Sequence, residues 1–275
     1  MFNWDNQREE MKASIHGDAI PPRYEDIWPE AMDWFQYRGL NIRYFHRCAD
    51  PAEKAILICN GIGQNIEVMA PLIEALNGVQ IVMYDIPGTG DSDPTILPWT
   101  FAQHSKLALS LLDAVQIEHF IPLGVSWGGL LAQELARKAP RRVERLILAS
   151  SPPGSIPLPA SLPADYARLA SLAFFPQDEQ RALSNQLDRF RAPNPISYFY
   201  QVLALFGTCG LNPFSRLHQP SLILQGRDDY LVPSSNGYLM SRMIPNAELA
   251  FLEGGHTFML THPEDTARLV SDFLG

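Results

Sequence analysis

The chain has 275 residues, 46% of them hydrophobic, and a formal net charge of -9. That length suits one large domain, or a domain with an insertion, around a sizeable core. The acidic balance argues against a surface that tracks phosphates, so nucleic acid is not an expected partner. The opening stretch MFNWDNQREEMK carries acids early and lacks an apolar run long enough for a signal sequence or a membrane span, so the chain reads as soluble and cytoplasmic. Cys48, Cys59 and Cys209 are odd in number and widely spaced, without CxxC or Cys/His ligand patterns. Buried thiols, no structural disulfide and no metal are expected.

Residues 1–31 are polar, include Pro21 and Pro22, and show no clear period; they read as an N-terminal arm. MDWFQYRGLNIRYFHR (32–47) alternates apolar and polar residues on either side of Gly39, which predicts two antiparallel strands at a sheet edge. AILIC (55–59) and VQIVMYD (79–85) lack polar alternation, as strands covered on both faces do. Between them NIEVMAPLIEALNG has helical spacing and a stop at Asn77-Gly78. A helix over 100–116, a strand at 119–125, a helix at 127–138 and a strand at 143–149 continue the rhythm. Over 151–217 no strand is evident, and SPPGSIPLPASLPADYARLASLAFFPQ gives way to aromatic, helix-like segments. Strands resume at 221–226 and 247–253, with helices near 234–243 and from about 263. The expectation is an α/β fold: a mostly parallel eight-stranded sheet with helices on both faces, core segments 32–150 and 218–275, and a helical lid inserted over 151–217.

One stretch points to chemistry. Gly124-Val125-Ser126-Trp127-Gly128 is G-x-S-x-G, set after a predicted strand and before a predicted helix. A tight turn there forces Ser126 into a strained backbone conformation and exposes its hydroxyl at the carboxyl edge of the sheet, near the positive end of the following helix. A serine hydroxyl is a poor nucleophile at neutral pH and needs a base, itself oriented by a third group. His256 follows a late predicted strand in the glycine loop EGGHTF and is the candidate base; His262, on the last helix, reads as a packed or solvated histidine. The acid should follow the preceding strand, where QGRDDYLVP (225–233) offers Asp228 and Asp229. Asp229 is favoured by its spacing from Gly226 and Pro233, with Asp228 as a loop-bonding carboxylate. After the strand ending near 149 the chain reads ASSPPG and has no carboxylate to compete.

Acyl transfer also requires donors for a developing oxyanion. The backbone N–H of Trp127 is one candidate, and the N–H of Ile62 in CNGIGQN is the other, since Gly61 and Gly63 let that loop turn its amides inward. The same glycines without a third one or a P-loop lysine make a poor phosphate cradle. Within the expected lid, Phe174, Phe175, Tyr198 and Phe206 are candidates for lining an apolar acyl channel, although aromatics at helical spacing are more often a segment's own core.

These stretches, NGIGQNIEVMAPLIEAL (60–76), YDIPGTGDSD (84–93), GVSWGGLLAQELA (124–136), PSLILQGRDDYLVP (220–233), IPNAEL (244–249) and GGHTFMLTHPE (254–264), resemble the α/β-hydrolase superfamily. More narrowly they are similar to the intracellular depolymerases of medium-chain-length poly(3-hydroxyalkanoate), whose oxyanion loop resembles Asn-Gly-Ile-Gly rather than beginning with His. The likeness thins before residue 32 and across 151–217, apart from YFYQVLALFG (198–207). It implies Ser126 as nucleophile, Asp229 as acid and His256 as base, with no cofactor. The expected substrate is a polyester or small ester, and the surface of intracellular polyester granules is a candidate partner. A hydrolase of small soluble esters, lactones or C–C bonds, and a non-catalytic binder that retains the pocket, are the rival readings.

Overall fold

The computed structural model describes residues 28–49, 53–154, 189–206 and 214–275. Eight strands form one sheet in the order β1-β2-β4-β3-β5-β6-β7-β8. β1 (Met32–Tyr37) and β2 (Leu40–Arg47) make an antiparallel hairpin at one edge. Its two-residue turn has positive φ at both Arg38 (52°) and Gly39 (82°), the primed geometry whose twist matches the flanking strands. β2 pairs antiparallel with β4 (Gln80–Tyr84). From there β3 (Ala55–Cys59), β5 (Ile121–Val125), β6 (Leu146–Ala149), β7 (Ser221–Gly226) and β8 (Ala247–Leu252) run parallel to β4 and to one another. All residues of β3, β5, β6 and β7 are buried, as expected for unbroken apolar runs in a sheet covered twice.

Seven helices are described among these residues: α1 (Ala70–Ala75), α2 (Phe101–Ala114), α3 (Trp127–Lys138), α4 (Pro195–Phe206), α5 (Ser235–Met243), α6 (Phe258–Thr261) and α7 (Pro263–Leu274). One face of the sheet is closed by Phe101, Leu107 and Leu111 of α2, Leu131 and Leu135 of α3, and Met240 of α5. The other is closed by Leu72 and Ile73 of α1, Met259 of α6, and Val270 and Leu274 of α7. α2 starts at a capping box in which Thr100 and Gln103 satisfy each other's backbone amides.

The sequence differs from the structure in one helix. NIEVMAPLIEALNG does not form one continuous helix. A 3-10 turn at Ile66–Met69 precedes α1, and the chain is already extended at Leu76, before the predicted stop. Pro71 has no N–H and fits only the first turn of a helix, so the α-helix begins there instead of running through it. The strands expected at 119–125 and 143–149 are shorter, because Phe120 and Val143 meet only in an isolated bridge.

Most of the expected lid falls outside the described residues, which leave α4 as its main described element. The predicted arm is described only from Trp28, whose ring lies 5.0 Å from that of Phe45. Of the three thiols, Cys48 is exposed and free, Cys59 is buried and free, and Cys209 lies outside the described residues.

One arginine shows how the hairpin is tied to the sheet. Arg43 is 3% exposed; its Nε donates to Asp85 Oδ2 at 2.7 Å, and its other nitrogens lie 2.8 Å from Glu67 Oε1 and from Asp91 Oδ2. Asp85 is fully buried, and burial pushes its carboxyl up to about 6 against the pull of Arg43. The folded state therefore keeps a proton that the unfolded chain releases, so this group's stabilisation is complete below the ordinary carboxylate pKa and is lost as pH rises through about 6. Arg43→Met removes the cation and leaves Asp85 and Glu67 buried without it. We expect a loss of about 3–5 kcal/mol at neutral pH, read by urea denaturation. The loss should shrink as pH falls through about 6 and Asp85 takes up a proton; a deficit that grows on acidification would contradict the account.

Candidate active site

The parallel strands end on one edge of the sheet, and Ile62, Ser126, Asp229 and His256 each follow one of those strand ends. Ser126 follows β5 and precedes α3; its amide donates to the Ala149 carbonyl at 2.9 Å, which pins the turn to the neighbouring strand. Its backbone sits at φ 52°, ψ -116°, a conformation that costs a non-glycine residue on the order of 1–3 kcal/mol. The glycines explain how the turn closes. A Cβ on Gly128 would lie 2.0 Å from the Cys59 carbonyl oxygen, and one on Gly124 would lie 2.5 Å from that of Gly128. Only hydrogen at these positions lets α3 start directly against β3 and β5.

Asp229 follows β7 and His256 follows β8. The two loops touch: a Cβ on Gly226 would meet the Gly255 carbonyl oxygen at 2.2 Å. His256 Nδ1 lies 3.0 Å from Asp229 Oδ2 and 3.1 Å from Oδ1. The carboxylate is 5% exposed and accepts from the amides of Leu231 at 3.0 Å and Val232 at 2.9 Å, and from Gln225 Nε2 at 3.2 Å. Burial alone would raise its pKa, but the charge and hydrogen bond of His256 together with the Val232 amide hold it below the usual carboxylate range. Folding thus favours the ionised carboxylate; that stabilisation is present above the ordinary pKa and is lost as pH falls through the depressed one. Asp228 is exposed, and its amide donates to the Gly254 carbonyl. Of the two adjacent acids, Asp229 is the one beside the imidazole.

The loop after β3 is held by its own side chains. Asn60 Oδ1 accepts from the Gly61 amide at 3.0 Å while its Nδ2 donates to the Asn65 carbonyl at 2.9 Å. Gly61 N also reaches Gln64 Oε1, and Gly63, at φ 70°, donates to Gln201 Oε1 at 2.9 Å. Among the described residues no acceptor meets the amide of Ile62, lying between them, nor that of Trp127 at the first turn of α3. A serine at a helix N-terminus, an imidazole held by a carboxylate and amides without an acceptor are the kinds of group that acyl transfer uses.

Two residues given no role by the sequence reading also belong to this edge. Gln225, fully buried within the apolar strand SLILQG, orients Asp229; a lone amide in such a run is the signal that marks it. Gln201 of α4 is another, standing alone in the apolar run YFYQVLALFG. Of the expected channel residues, Tyr198 packs on the oxyanion loop, where its Cδ2 would be 2.9 Å from a Cβ on Gly63. Phe206 is 55% exposed at the far end of α4, and Phe174 and Phe175 lie outside the described residues. Among the described residues no cluster of His, Cys, Asp or Glu is placed to hold a metal ion, and no helix is long and apolar enough to cross a membrane.

Known proteins place this architecture. Residues 54–188 match the family described as alpha/beta hydrolase fold. A poly(3-hydroxyalkanoate) depolymerase of Ectopseudomonas oleovorans is 32% identical over 252 residues, covering 85% of this chain and 89% of the relative. A 2-hydroxy-6-oxononadienedioate/2-hydroxy-6-oxononatrienedioate hydrolase of Cupriavidus pinatubonensis is 29% identical, over 77% of this chain and 80% of its own. The enol-lactonase of Burkholderia xenovorans LB400 superposes with a TM-score of 0.76 over 88% of this chain and 99% of that one; at 19% identity it speaks for the fold alone. With the sheet order, the strand-end site and a relative matched along most of its length, this chain belongs to the alpha/beta hydrolase family.

Proposed function

We propose that the protein is a serine hydrolase that cleaves the ester bonds of medium-chain-length poly(3-hydroxyalkanoate) or its oligomers. The observation that carries the chemistry is the contact of His256 Nδ1 with a buried, ionised Asp229 on the sheet edge that also presents Ser126. In this reading Ser126 Oγ attacks the ester carbonyl carbon as His256 Nε2 takes its proton. Asp229 fixes the tautomer and supports the imidazolium, and the amides of Ile62 and Trp127 receive the oxyanion. The proton passes to the departing alkoxide as the acyl-enzyme forms, and water, deprotonated by the same imidazole, releases the acid and restores the serine. No step calls for a metal or organic cofactor.

The depolymerase relative supports the choice of polyester. So does the surface over the site. Ile96 and Leu97, in the loop after β4, are 90% and 70% exposed, and Ile196 and Phe199 on α4 are 61% and 55% exposed. Tyr200 joins the two segments by donating to the Ile96 carbonyl at 3.0 Å. Neither residues 94–101 nor α4 contains an Asp, Glu, Lys or Arg, in a chain whose net charge is -9. An uncharged apolar face suits an uncharged aliphatic polymer, and by this reading the enzyme works at the surface of polyester granules in the cytoplasm, with the segment 151–217 acting as a lid. The relative named as a hydrolase of 2-hydroxy-6-oxononadienedioate and 2-hydroxy-6-oxononatrienedioate favours the second reading, a hydrolase of small soluble substrates.

The deciding experiment is acid release, titrated at constant pH, from dispersed amorphous medium-chain polymer, from short-chain polymer and from soluble p-nitrophenyl esters. Release from the medium-chain polymer that disappears in Ser126→Ala is expected. Turnover of soluble esters alone would transfer the protein to the second reading, and inactivity on all of them would favour a binder.

A further inference from the structure

Helix α4 carries two polar side chains on its buried side. It buries Ser197 and Gln201, each 2% exposed, beside Ala204, and turns Ile196 and Phe199 outward. A helix on a protein surface ordinarily does the reverse. Ala204 and the partly buried Leu205 pack against the core, and the polar contacts of Gln201 add a second attachment, to the loop after β3 and to Trp127. Gln201 Oε1 accepts the Gly63 amide at 2.9 Å, and its main-chain carbonyl accepts the indole N–H of Trp127 at 2.9 Å. Its Nε2 is buried and has no hydrogen-bond partner among the described residues.

Gly63 directly follows Ile62, and Trp127 directly follows Ser126, so a single residue of α4 grips both segments that carry the candidate oxyanion donors. Gly63 holds a left-handed φ of 70° with no side chain of its own to fix the peptide that precedes it. The acceptor supplied by Gln201 sets that peptide plane. With Gly61 turned toward Asn60 and Gln64, and Gly63 toward Gln201, the intervening Ile62 amide is the one left for a substrate oxygen.

We infer that Gln201 is a positioning residue of the oxyanion hole, through which the seating of α4 and the geometry of the two donors become one equilibrium. This rests on the ester-hydrolase reading above. A hydrocarbon side chain of similar volume would remove the unpaired Nε2 donor but leave the buried Gly63 N–H without its acceptor, so a positioning role is separated from a merely structural one by setting activity against stability.

Gln201→Met separates the two roles. The variant exchanges the unpaired Nε2 donor for an unpaired Gly63 N–H, so its melting temperature is expected to stay close to that of the wild type. Its kcat on a soluble p-nitrophenyl ester should fall by something on the order of 10- to 100-fold, less than the 10²–10³ that removal of an entire oxyanion donor costs, with KM nearly unchanged. The inhibition constant of a trifluoromethyl ketone, which places an oxyanion in the hole, should rise by a matching factor. Gln201→Glu keeps an acceptor for Gly63 in both protonation states, so its kcat relative to wild type should climb as pH falls and the added charge is neutralised, while the ratio for Met stays flat.

Wild-type kcat and inhibitor affinity in the Met variant, or an activity loss that only follows a lowered melting temperature, would overturn the inference. A flat ratio for Glu would do the same should the Met variant fail to fold. A wild-type protein that hydrolyses no ester at all would instead overturn the underlying ester-hydrolase reading, before any variant is compared.

Discussion

Ser126→Ala is expected to lower kcat by something on the order of 10⁶ while leaving the fold intact, by analogy with serine triads in which loss of the nucleophile costs that much. The effect is large because the remaining machinery has nothing to activate: His256 can still take a proton and the two amides can still receive an oxyanion, but no acyl-enzyme can form. The half-buried Ser126 also carries the strain of a φ of 52° that β5, α3 and the surrounding glycines impose. Alanine keeps that backbone and gains no conformational relief, so the melting temperature should change little. Circular dichroism and thermal melting establish folding, and steady-state kinetics on a soluble ester give kcat. A loss of only a few-fold in folded protein would defeat the assignment.

The second large effect falls on the acid. Asp229→Asn retains the volume but removes the charge and offers an amide N–H toward the imidazole, so His256 is held in the wrong tautomer. A loss in kcat of about 10⁴ follows if the triad behaves as others do. Asp228→Asn, on an exposed side chain one position away, should change kcat by less than about threefold; the reverse ranking would transfer the role to Asp228. The substitution also has a signature in stability. The Asp229 carboxyl is held below the usual range, so its stabilisation operates at neutral pH and is lost on acidification. In the Asn variant the stability profile below about pH 4 should accordingly be flatter than in the wild type.

Why some of this could be read from the chain and some could not has a physical basis. G-x-S-x-G is legible because a strand, a strained serine and a helix can meet only if the flanking residues lack a Cβ, as the 2.0 Å approach of a Gly128 Cβ to the Cys59 carbonyl shows. The places of Ser126, Asp229 and His256 are legible because each follows a strand of the same parallel sheet. The hairpin is less so. Alternation in NIRYFHR gives no hint that Arg43 is almost fully buried, because the carboxylates that draw it inward, Asp85 and Glu67, come from elements far along the chain. Pro71 did mark where the helix after the oxyanion loop begins, although hydrophobic spacing alone carried that helix through it. Gln201 was hidden for another reason. Its partners, Gly63 and Trp127, are backbone and indole N–H groups that leave no trace in periodicity, and only its isolation within an apolar helix distinguishes it.

The claim that an acyl-enzyme forms at one serine is tested most directly by covalent capture. The protein would be incubated with a p-nitrophenyl alkylphosphonate, which transfers its phosphoryl group to an activated serine with release of p-nitrophenolate, and the intact mass and peptide map would be read. The account predicts one phosphonyl group per chain on Ser126, absent in Ser126→Ala and formed far more slowly in His256→Ala. Modification at another residue, or full ester hydrolysis with Ser126 unmodified, would contradict it.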